Sequence, residues 1–214
     1  MVGALALAVA AALGWVVFGT SVLGVREVRV TGSIIVSADD VRAVAAVAEG
    51  TPLARVDVDA VRSRVRTLPS IADAVVRRAW PTTLAIEVSE RVGVAVVSFG
   101  GGFRILDREG VAFTAATSRP PGLVLLRLAQ PGPGDPATRA ALRVIAALTP
   151  ALRAPLRAIV ADSPARIRLE LAGGRQVIWG GPENSDLKAK VATSLLSRPG
   201  LTIDVSAPEV VTVR

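Results

Sequence analysis

The chain opens with a run of apolar residues that no charge interrupts. Residues 1–25 contain no Asp, Glu, Lys or Arg, and Ala, Leu, Val, Gly and Trp fill nearly all of residues 2–17. About 20 such residues in a helix that rises ~1.5 Å per residue cross the ~30 Å apolar layer of a bilayer. The pattern therefore predicts a membrane anchor over residues 1–24. A cleaved signal peptide is the alternative, but no basic residue begins the run and Val22-Leu23-Gly24 is a poor cleavage site.

The following residues predict a strand and then two helices. Polar and apolar side chains alternate over residues 25–32, as they do in a half-buried strand. Ser37-Ala-Asp-Asp40 is typical of a helix start, and Gly50-Thr51-Pro52 is expected to end that helix. Asp57 is expected to cap a second helix, which Pro69 ends.

Two more strands complete this region. Residues 71–80 and 83–90 predict antiparallel strands that are joined by a turn at Trp80-Pro81. The resulting order, β-α-α-β-β, predicts two helices packed on one face of a three-stranded sheet. The side chains expected to meet in its core are Val44, Val61, Val65, Leu84, Ile86 and Val88.

Residues 93–214 predict further strands and helices in a mixed order. Asp107-Arg-Glu-Gly110 supplies the turn of a β-hairpin over residues 103–113, and a concentration of prolines predicts a surface loop at 130–136. Helices are expected at 138–148 and 185–196, strands at 158–161, 167–171 and 176–179, and an extended segment at 201–213. The whole chain is therefore expected to be α+β.

Composition removes most enzyme chemistry from consideration. The sequence has no His and no Cys, which excludes histidine bases, thiolate nucleophiles, Cys/His zinc sites and disulfides. The net charge is +7, but aromatic residues make up only 3% of the chain and Tyr is absent, so nucleic-acid binding is not favoured. Most of the positive charge lies in residues 99–214, where contact with anionic lipid or wall polymer stays an open alternative.

The remaining chemical motifs have structural explanations. Ser185-Asp-Leu-Lys188 matches the S-x-x-K pattern of penicillin-interacting enzymes, but the companion Ser-Asp-Asn and Lys-Thr-Gly motifs are absent. Asn184 or Ser185 is better explained as a helix cap, with Lys188 exposed. The pairs Asp39-Asp40 and Asp57/Asp59 stand at helix starts, where carboxylates favour the helix dipole. We therefore expect no catalytic residue, no metal, no cofactor and no small-molecule substrate.

Several segments resemble one family in order along the chain. Val28-Arg-Val-Thr-Gly32, Val76-Arg-Arg-Ala-Trp-Pro81 and Thr83-Leu-Ala-Ile-Glu-Val-Ser-Glu-Arg91 are similar to the POTRA domain of the FtsQ/DivIB cell-division proteins. Val177-Ile-Trp-Gly180 and Ile203-Asp-Val-Ser206 are similar to that family's β domain. The resemblance implies an anchor at 1–24, a POTRA domain at 25–92 and a β domain at 93–214, with a mainly antiparallel sheet packed on helices.

The resemblance also implies a function by binding. It implies a scaffold at the division septum that binds FtsL and FtsB/DivIC type bitopic partners, with septal wall synthases as further candidates. The bulk of the chain would then lie outside the cytoplasm on the cell (inner) membrane, although Arg26 and Arg29 taken alone favour the opposite orientation. The alternatives are a POTRA-bearing envelope assembly or export factor and a cell-wall serine hydrolase.

The carboxyl-terminal segment is the predicted binding site. Glu209–Val213 is expected to be an edge strand, and its Val residues favour extended backbone whose outer N–H and C=O groups stay open. In the resembling family this end receives a strand from the FtsB/DivIC partner, which implies β-augmentation here. An ordinary edge strand shielded by a loop is the alternative. The candidate site residues are Ile203, Val205, Ser206, Glu209, Val210, Val211, Val213 and Arg214.

Overall fold

The computed structural model describes residues 2–207, 209 and 212–213. The chain divides between Arg91 and Val92 into two compact units, each with a sheet of its own.

The first unit begins with an apolar helix, α1 (Val2–Gly19), which is followed by a short 3₁₀ turn at Ser21–Leu23. The helix has a mean hydropathy of 2.2 and carries no charge. None of its described side chains is buried within the protein, whereas the core helix of a soluble protein would bury a stripe. Its length of 18 residues corresponds to ~27 Å, close to the apolar thickness of a bilayer. The helix thus fits the predicted membrane anchor.

The rest of the first unit has the predicted order β-α-α-β-β. Its elements are β1 (Glu27–Thr31), α2 (Ala38–Ala45), α3 (Val58–Val65), β2 (Ile71–Ala79) and β3 (Thr83–Glu90). The strand order is β1-β3-β2, with β3 parallel to β1 and antiparallel to β2. Helix α2 packs on β1 and α3, and α3 packs on β2. The predicted three-stranded sheet with two packed helices is confirmed.

Two polar side chains start the helices as expected. The Ser37 hydroxyl accepts a hydrogen bond from the Asp40 N–H at 3.0 Å. The Asp57 carboxylate accepts hydrogen bonds from the N–H groups of Asp59 and Ala60 at 3.1 and 3.0 Å. Each cap satisfies N–H groups that have no partner inside the helix.

The core of the first unit matches the prediction at all but one position. Val61, Val65, Leu84, Ile86 and Val88 are buried together. Val44 is only partly buried and lies outside this cluster, because the residues of α2 that face the core are Val41 and Ala45, one helical turn apart.

Helix α2 also ends earlier than the sequence predicts. Ala46 has a φ of 48°, so the helix stops there and not at Gly50. The Arg64 guanidinium donates to the Ala45 carbonyl through Nε and Nη2, at 3.0 and 2.6 Å, and satisfies that end of the helix. A cap that comes from another element leaves no local signal in the sequence of α2.

The second unit contains a nine-stranded sheet and three helices. Its elements are β4 (Ala95–Phe99), β5 (Gly102–Leu106), β6 (Ala112–Ala116), β7 (Val124–Arg127), α4 (Pro136–Ala147), α5 (Pro150–Arg153), β8 (Leu156–Ser163), β9 (Arg166–Leu171), β10 (Gln176–Gly180), α6 (Ser185–Leu195), β11 (Thr202–Asp204) and β12 (Thr212–Val213). The strand order is β12-β11-β10-β9-β8-β7-β4-β5-β6. The pairs β4–β7, β7–β8 and β10–β11 are parallel and the other pairs are antiparallel.

This architecture confirms the predicted mainly antiparallel sheet packed on helices. The predicted hairpin, the helices α4 and α6 and the strands β8, β9 and β10 are present within a few residues of their expected bounds. Strands β4 and β7 and the short helix α5 were not predicted from the pattern. The missed strands are neighbours in the sheet, and each begins with three consecutive apolar residues, at 95–97 and 124–126. Their sequences therefore lack the alternation of apolar and polar residues that marks a half-buried strand.

The core of the second unit lies between the sheet and the helices. Helix α4 packs on β8 and α6, while α6 packs on β11. Trp179 of β10 is fully buried in this core, together with Leu152 of α5 and Ile203 of β11. Burial of Ile203 fixes β11, the last strand but one, to the body of the unit.

Candidate functional site

The predicted site residues lie around the last two strands of the nine-stranded sheet. Ile203 and Val205 are fully buried, so their side chains serve the core and only their backbone lies near the sheet edge. Ser206 and Glu209 are exposed. Val213 lies in β12 directly opposite Ile203. Three predicted residues, Val210, Val211 and Arg214, lie outside the described residues.

Strand β12 is the outermost strand at this edge. It pairs antiparallel with β11, with Val213 opposite Ile203 and Thr212 opposite Asp204, and β11 in turn pairs parallel with β10. No strand in the described part of the chain pairs with the outer side of β12. Since successive N–H groups of a strand point to opposite sides, one of Thr212 and Val213 directs its N–H inward to β11 and the other outward.

An arginine fastens the segment that leads into β11. Arg175 donates through Nη1 to the Leu196 carbonyl at 2.6 Å, through Nε to the Gly200 carbonyl at 3.1 Å and through Nη2 to the Arg198 carbonyl at 3.2 Å. These carbonyls belong to the end of α6 and to the connection that follows it. One guanidinium therefore satisfies the carboxyl-terminal end of the helix and holds the start of β11 against β10.

A buried lysine fastens the segment that leaves β10. Lys188 is only 3% exposed, and its Nζ donates to the carbonyls of Trp179 and Gly181 at 3.0 and 2.9 Å. Burial disfavours the charged ammonium and lowers the pKa of Lys188, while the nearby Glu183 carboxylate opposes that shift. The expectation that Lys188 is exposed is wrong, because its stem lies under the turn that its own Nζ holds.

The serine of the same motif is also occupied by structural bonds. The Ser185 hydroxyl donates to the Pro182 carbonyl at 2.7 Å and accepts from the indole N–H of Trp179 at 3.1 Å. Asn184 occupies the cap position of α6 but makes no capping bond with its side chain. Ser185 and Lys188 thus both fasten the turn between β10 and α6, and this geometry explains the S-x-x-K spacing without a reaction.

Two further features direct the chain after β11. The Asp204 carboxylate accepts hydrogen bonds from the N–H and the hydroxyl of Ser206, at 2.9 and 2.7 Å, which forms a tight turn. Gly180 has a φ of +73°, and a Cβ at this position would lie 3.0 Å from the Cβ of Ser206. Glycine at the end of β10 therefore allows the turn after β11 to approach closely.

What the described residues offer at this end of the sheet is backbone N–H and C=O groups. Across the described residues, no group of three or more acidic side chains converges in a way that could hold a metal ion. The predicted carboxylate pairs are used locally: Asp57 caps α3, and Asp39 lies 2.6 Å from the Arg42 guanidinium. Chemically, this end of the sheet can accept an extended segment through main-chain hydrogen bonds.

The binding role of this edge stays a prediction, and sequence reasoning missed the groups that hold the neighbouring backbone in place. Arg175 was not singled out, because its three acceptors are carbonyls that lie more than 20 residues away along the chain. Arg78 of the first unit acts in a similar way and donates to the carbonyls of Leu53 and Val56 at 3.0 and 2.7 Å.

Comparison with known proteins gives matches over both units. Residues 23–91 match the model of the FtsQ-type POTRA domain, and residues 95–211 match the model of the cell division protein FtsQ/DivIB C-terminal domain. The chain is 43% identical over its full length to the cell division protein FtsQ of Mycolicibacterium smegmatis and covers 64% of that protein.

Other relatives carry the same name. The chain is 40% identical to FtsQ of Mycobacterium tuberculosis (strain ATCC 25618 / H37Rv), with 94% of the chain and 64% of that protein aligned. It is 38% identical to FtsQ of Streptomyces bingchenggensis, with 91% of the chain and 77% of that protein aligned. The chain thus spans a little under two thirds of the length of its mycobacterial relatives.

Proposed function

The chain belongs to the FtsQ/DivIB family of cell division proteins, and on that premise we propose that it is a non-catalytic scaffold of the division septum. The proposed partners are FtsL and FtsB/DivIC type bitopic proteins, through which it would help assemble and control septal peptidoglycan synthesis. We divide the chain into an anchor at 1–24, a POTRA domain at 25–92 and a β domain at 93–214. The two domains would lie outside the cytoplasm on the inner membrane.

The observation that carries this proposal is the outer side of β12, with which no strand of the described residues pairs. A partner strand that pairs there would extend the nine-stranded sheet through main-chain hydrogen bonds. Arg175, Lys188 and Asp204 fix the backbone on both sides of β11 before any partner arrives. An acceptor strand that is already ordered loses less conformational entropy on binding, which favours affinity.

The two alternative functions find less support. An export or outer-membrane assembly factor is expected to carry several POTRA units, and one POTRA match covers residues 23–91. A serine hydrolase would require Ser185 and Lys188 to act on each other. Both side chains instead bond to backbone and indole groups of the turn that contains them.

A pair of proline variants tests the proposed edge pairing. Proline removes one N–H from the backbone, so Thr212→Pro and Val213→Pro will differ: one removes the outward N–H, and the other removes a bond to β11. We expect the outward variant to keep a native melting profile and to lose co-purification with the FtsB/DivIC type partner. Native melting together with wild-type partner yield in both variants would contradict the proposal.

Cellular location tests the broader role. A fluorescent fusion of the full chain is expected to gather at midcell during division. An even distribution around the envelope throughout the cell cycle would contradict a septal scaffold, and it would do so whether or not β12 accepts a strand.

A further inference from the structure

A cleft with a basic rim lies on the second unit, beside α4 and the hairpin turn between β5 and β6. It has a volume of about 570 Å³ and is lined by Arg108, Glu109, Arg139, Leu142, Arg143 and Ala146. A smaller adjoining cleft of about 220 Å³ shares Arg108, Leu142 and Ala146 with it and extends to Arg153. We call the larger of the two the basic cleft.

One face of α4 forms the wall of the basic cleft. Arg139, Leu142, Arg143 and Ala146 follow one another at spacings of three, one and three residues, which places them in a single stripe along two helical turns. The exposed Ala146 and the small accessible part of Leu142, which is only 6% exposed because it also belongs to the core, form a narrow apolar strip beside the two arginines. The opposite face of α4, which includes Ala141, Val144 and Ile145, is buried in the core.

The two arginines on this face lie four residues apart. Like charges at this spacing destabilise a helix, and Arg108 of the facing turn adds a third guanidinium. Glu109 is the single carboxylate of the lining, and it lies 3.5 Å from the exposed Arg108 guanidinium. Three cations and one anion therefore border the apolar strip, and this imbalance favours an anionic ligand.

The arginines of α4 keep donors available to such a ligand. Arg139 uses Nη1 to bond the carbonyls of Pro133 and Gly134, at 3.0 and 3.3 Å, which positions its guanidinium. Arg143 is exposed and forms no hydrogen bond or ion pair with the described residues. An exposed guanidinium whose N–H groups are available can bind a carboxylate through two parallel N–H donors.

We propose that the basic cleft binds an acidic amphipathic helix of another protein. An apolar side chain of that helix would lie on Leu142 and Ala146, and carboxylates four residues apart would pair with Arg139 and Arg143. The two spacings match, since residues four apart on a helix are about 6 Å from each other. The apolar strip favours a peptide over a phosphate polymer, which has no apolar face, and the concave shape favours a helix over a flat lipid surface.

A labelled peptide tests this proposal on the full chain in nanodiscs of zwitterionic phosphatidylcholine. The probe is a fluorescent helical peptide of about 15 residues with Glu at positions i and i+4 and Leu at i+3. Fluorescence anisotropy is expected to show saturable binding that Arg139→Glu and Arg143→Glu each weaken by about tenfold or more. Arg157→Glu makes the same charge change on the exposed side of β8 and is expected to alter the affinity by less than about twofold.

Reversing the charges of both peptide and protein distinguishes pairing with Arg139 and Arg143 from attraction by net charge. A peptide with Lys in place of Glu is expected to bind the Arg139→Glu/Arg143→Glu double variant and not the wild type. Equal weakening by Arg157→Glu would overturn the proposal, because binding would then follow net charge alone. It would also be overturned if inorganic polyphosphate or phosphatidylglycerol vesicles bound in an Arg143-dependent manner while the peptide did not. Each variant's melting profile confirms that it is folded.

Discussion

Strands β6 and β12 both lie at an edge of the nine-stranded sheet, and they differ in composition, in regularity and in support. Three of the five residues of β6 are alanine, which has a low preference for strands, and its register with β5 shifts between Ile105 and Leu106. Residues 210–213 are Val-Val-Thr-Val, which strongly prefer extended backbone. Register shifts and weak strand formers are devices by which sheets discourage unwanted pairing. This difference fits the proposal that β12, and not β6, is the edge that accepts a partner strand.

The two edges also differ in whether nearby side chains hold the adjoining backbone in place. Near β6, the exposed Arg119 donates to the carbonyls of Leu123 and Arg157, both outside the edge strand. Near β12, Arg175 holds three carbonyls of the segment that enters β11, and a buried Lys188 holds the turn that leaves β10. A partner-binding edge needs such support because it must stay ordered while one of its sides is unpaired.

The largest expected effect comes from introducing a carboxylate near each edge of the sheet, at Ile203 in β11 and at Thr114 in β6. Ile203 of β11 is fully buried, whereas Thr114 of β6 is exposed. Ile203→Asp loses apolar burial and buries a carboxylate, so we expect it to lower the free energy of unfolding by more than about 3 kcal/mol and to abolish partner binding. Thr114→Asp is expected to lower the free energy of unfolding by less than about 0.5 kcal/mol. Urea unfolding measures both, and similar values for the two variants would contradict the assignment of these edges.

The two arginine clamps provide the next comparison. Arg175→Ala removes three charge-assisted hydrogen bonds and leaves carbonyls at the end of α6 unpaired, which we expect to cost about 2 kcal/mol and to weaken partner binding. Arg119→Ala removes a clamp of the same kind from a more exposed position and is expected to cost less than about 1 kcal/mol, with partner yield unchanged. Pull-down yields and unfolding curves of the two variants check this, and equal loss of partner would contradict it.

A pH series isolates the buried lysine. The pKa of Lys188 is lowered in the folded chain, so the cost of burying its charge is present in full below that pKa and is relieved as the pH rises toward the ordinary lysine value. We expect the wild type to gain stability relative to Lys188→Met over this alkaline window. At neutral pH, the loss of bonds to Trp179 and Gly181 makes the variant less stable by about 1–2 kcal/mol.

The second lysine of the chain is the matched control. Lys190 is exposed, and Lys190→Met, which makes the same substitution outside the turn, is expected to change the free energy of unfolding at neutral pH by less than about 0.5 kcal/mol. If the free energies of unfolding of the wild type and Lys188→Met differ by the same amount at every pH, the burial of the ammonium group is contradicted. These measurements use urea unfolding of the full chain at each pH.

The smallest expected effect concerns the turn after β11. Asp204→Ala removes the acceptor for both the N–H and the hydroxyl of Ser206, which we expect to cost about 1 kcal/mol. Because this turn directs the chain from β11 toward β12, partner affinity is expected to fall by a few fold. Ser206→Ala keeps the backbone bond and is expected to show about half of the loss in thermal unfolding. A larger loss in Ser206→Ala would show that the hydroxyl serves another contact.

These comparisons also show what the sequence could and could not predict. Alternation along β3 placed Leu84, Ile86 and Val88 in the core correctly, because a strand with one buried face has a period of two. Strands β4 and β7 each begin with three consecutive apolar residues, which show no such period, and both strands were missed. The composition around residue 210 predicts an edge strand that accepts a partner, and this role stays a prediction.

The supporting residues could not be identified in the same way. Arg175 and Lys188 act through backbone carbonyls, and any residue type supplies a carbonyl. Their acceptors therefore leave no pattern in the sequence, and only the arrangement of α6 beside β10 and β11 brings them within reach. Lys188 in particular was expected at the surface, since a lysine at a helix start is usually solvated.

Amide hydrogen exchange on the full chain, alone and with the FtsB/DivIC type partner, tests the central claim most directly. If the partner adds a strand to β12, the backbone of Thr212 and Val213 will gain protection in the complex, because an outward N–H becomes hydrogen-bonded. The segment Ala112–Ala116 of the opposite edge is expected to exchange at the same rate in both states. Protection of Ala112–Ala116, or a bound partner that leaves Thr212 and Val213 unprotected, would contradict the claim that β12 is the edge that accepts a strand.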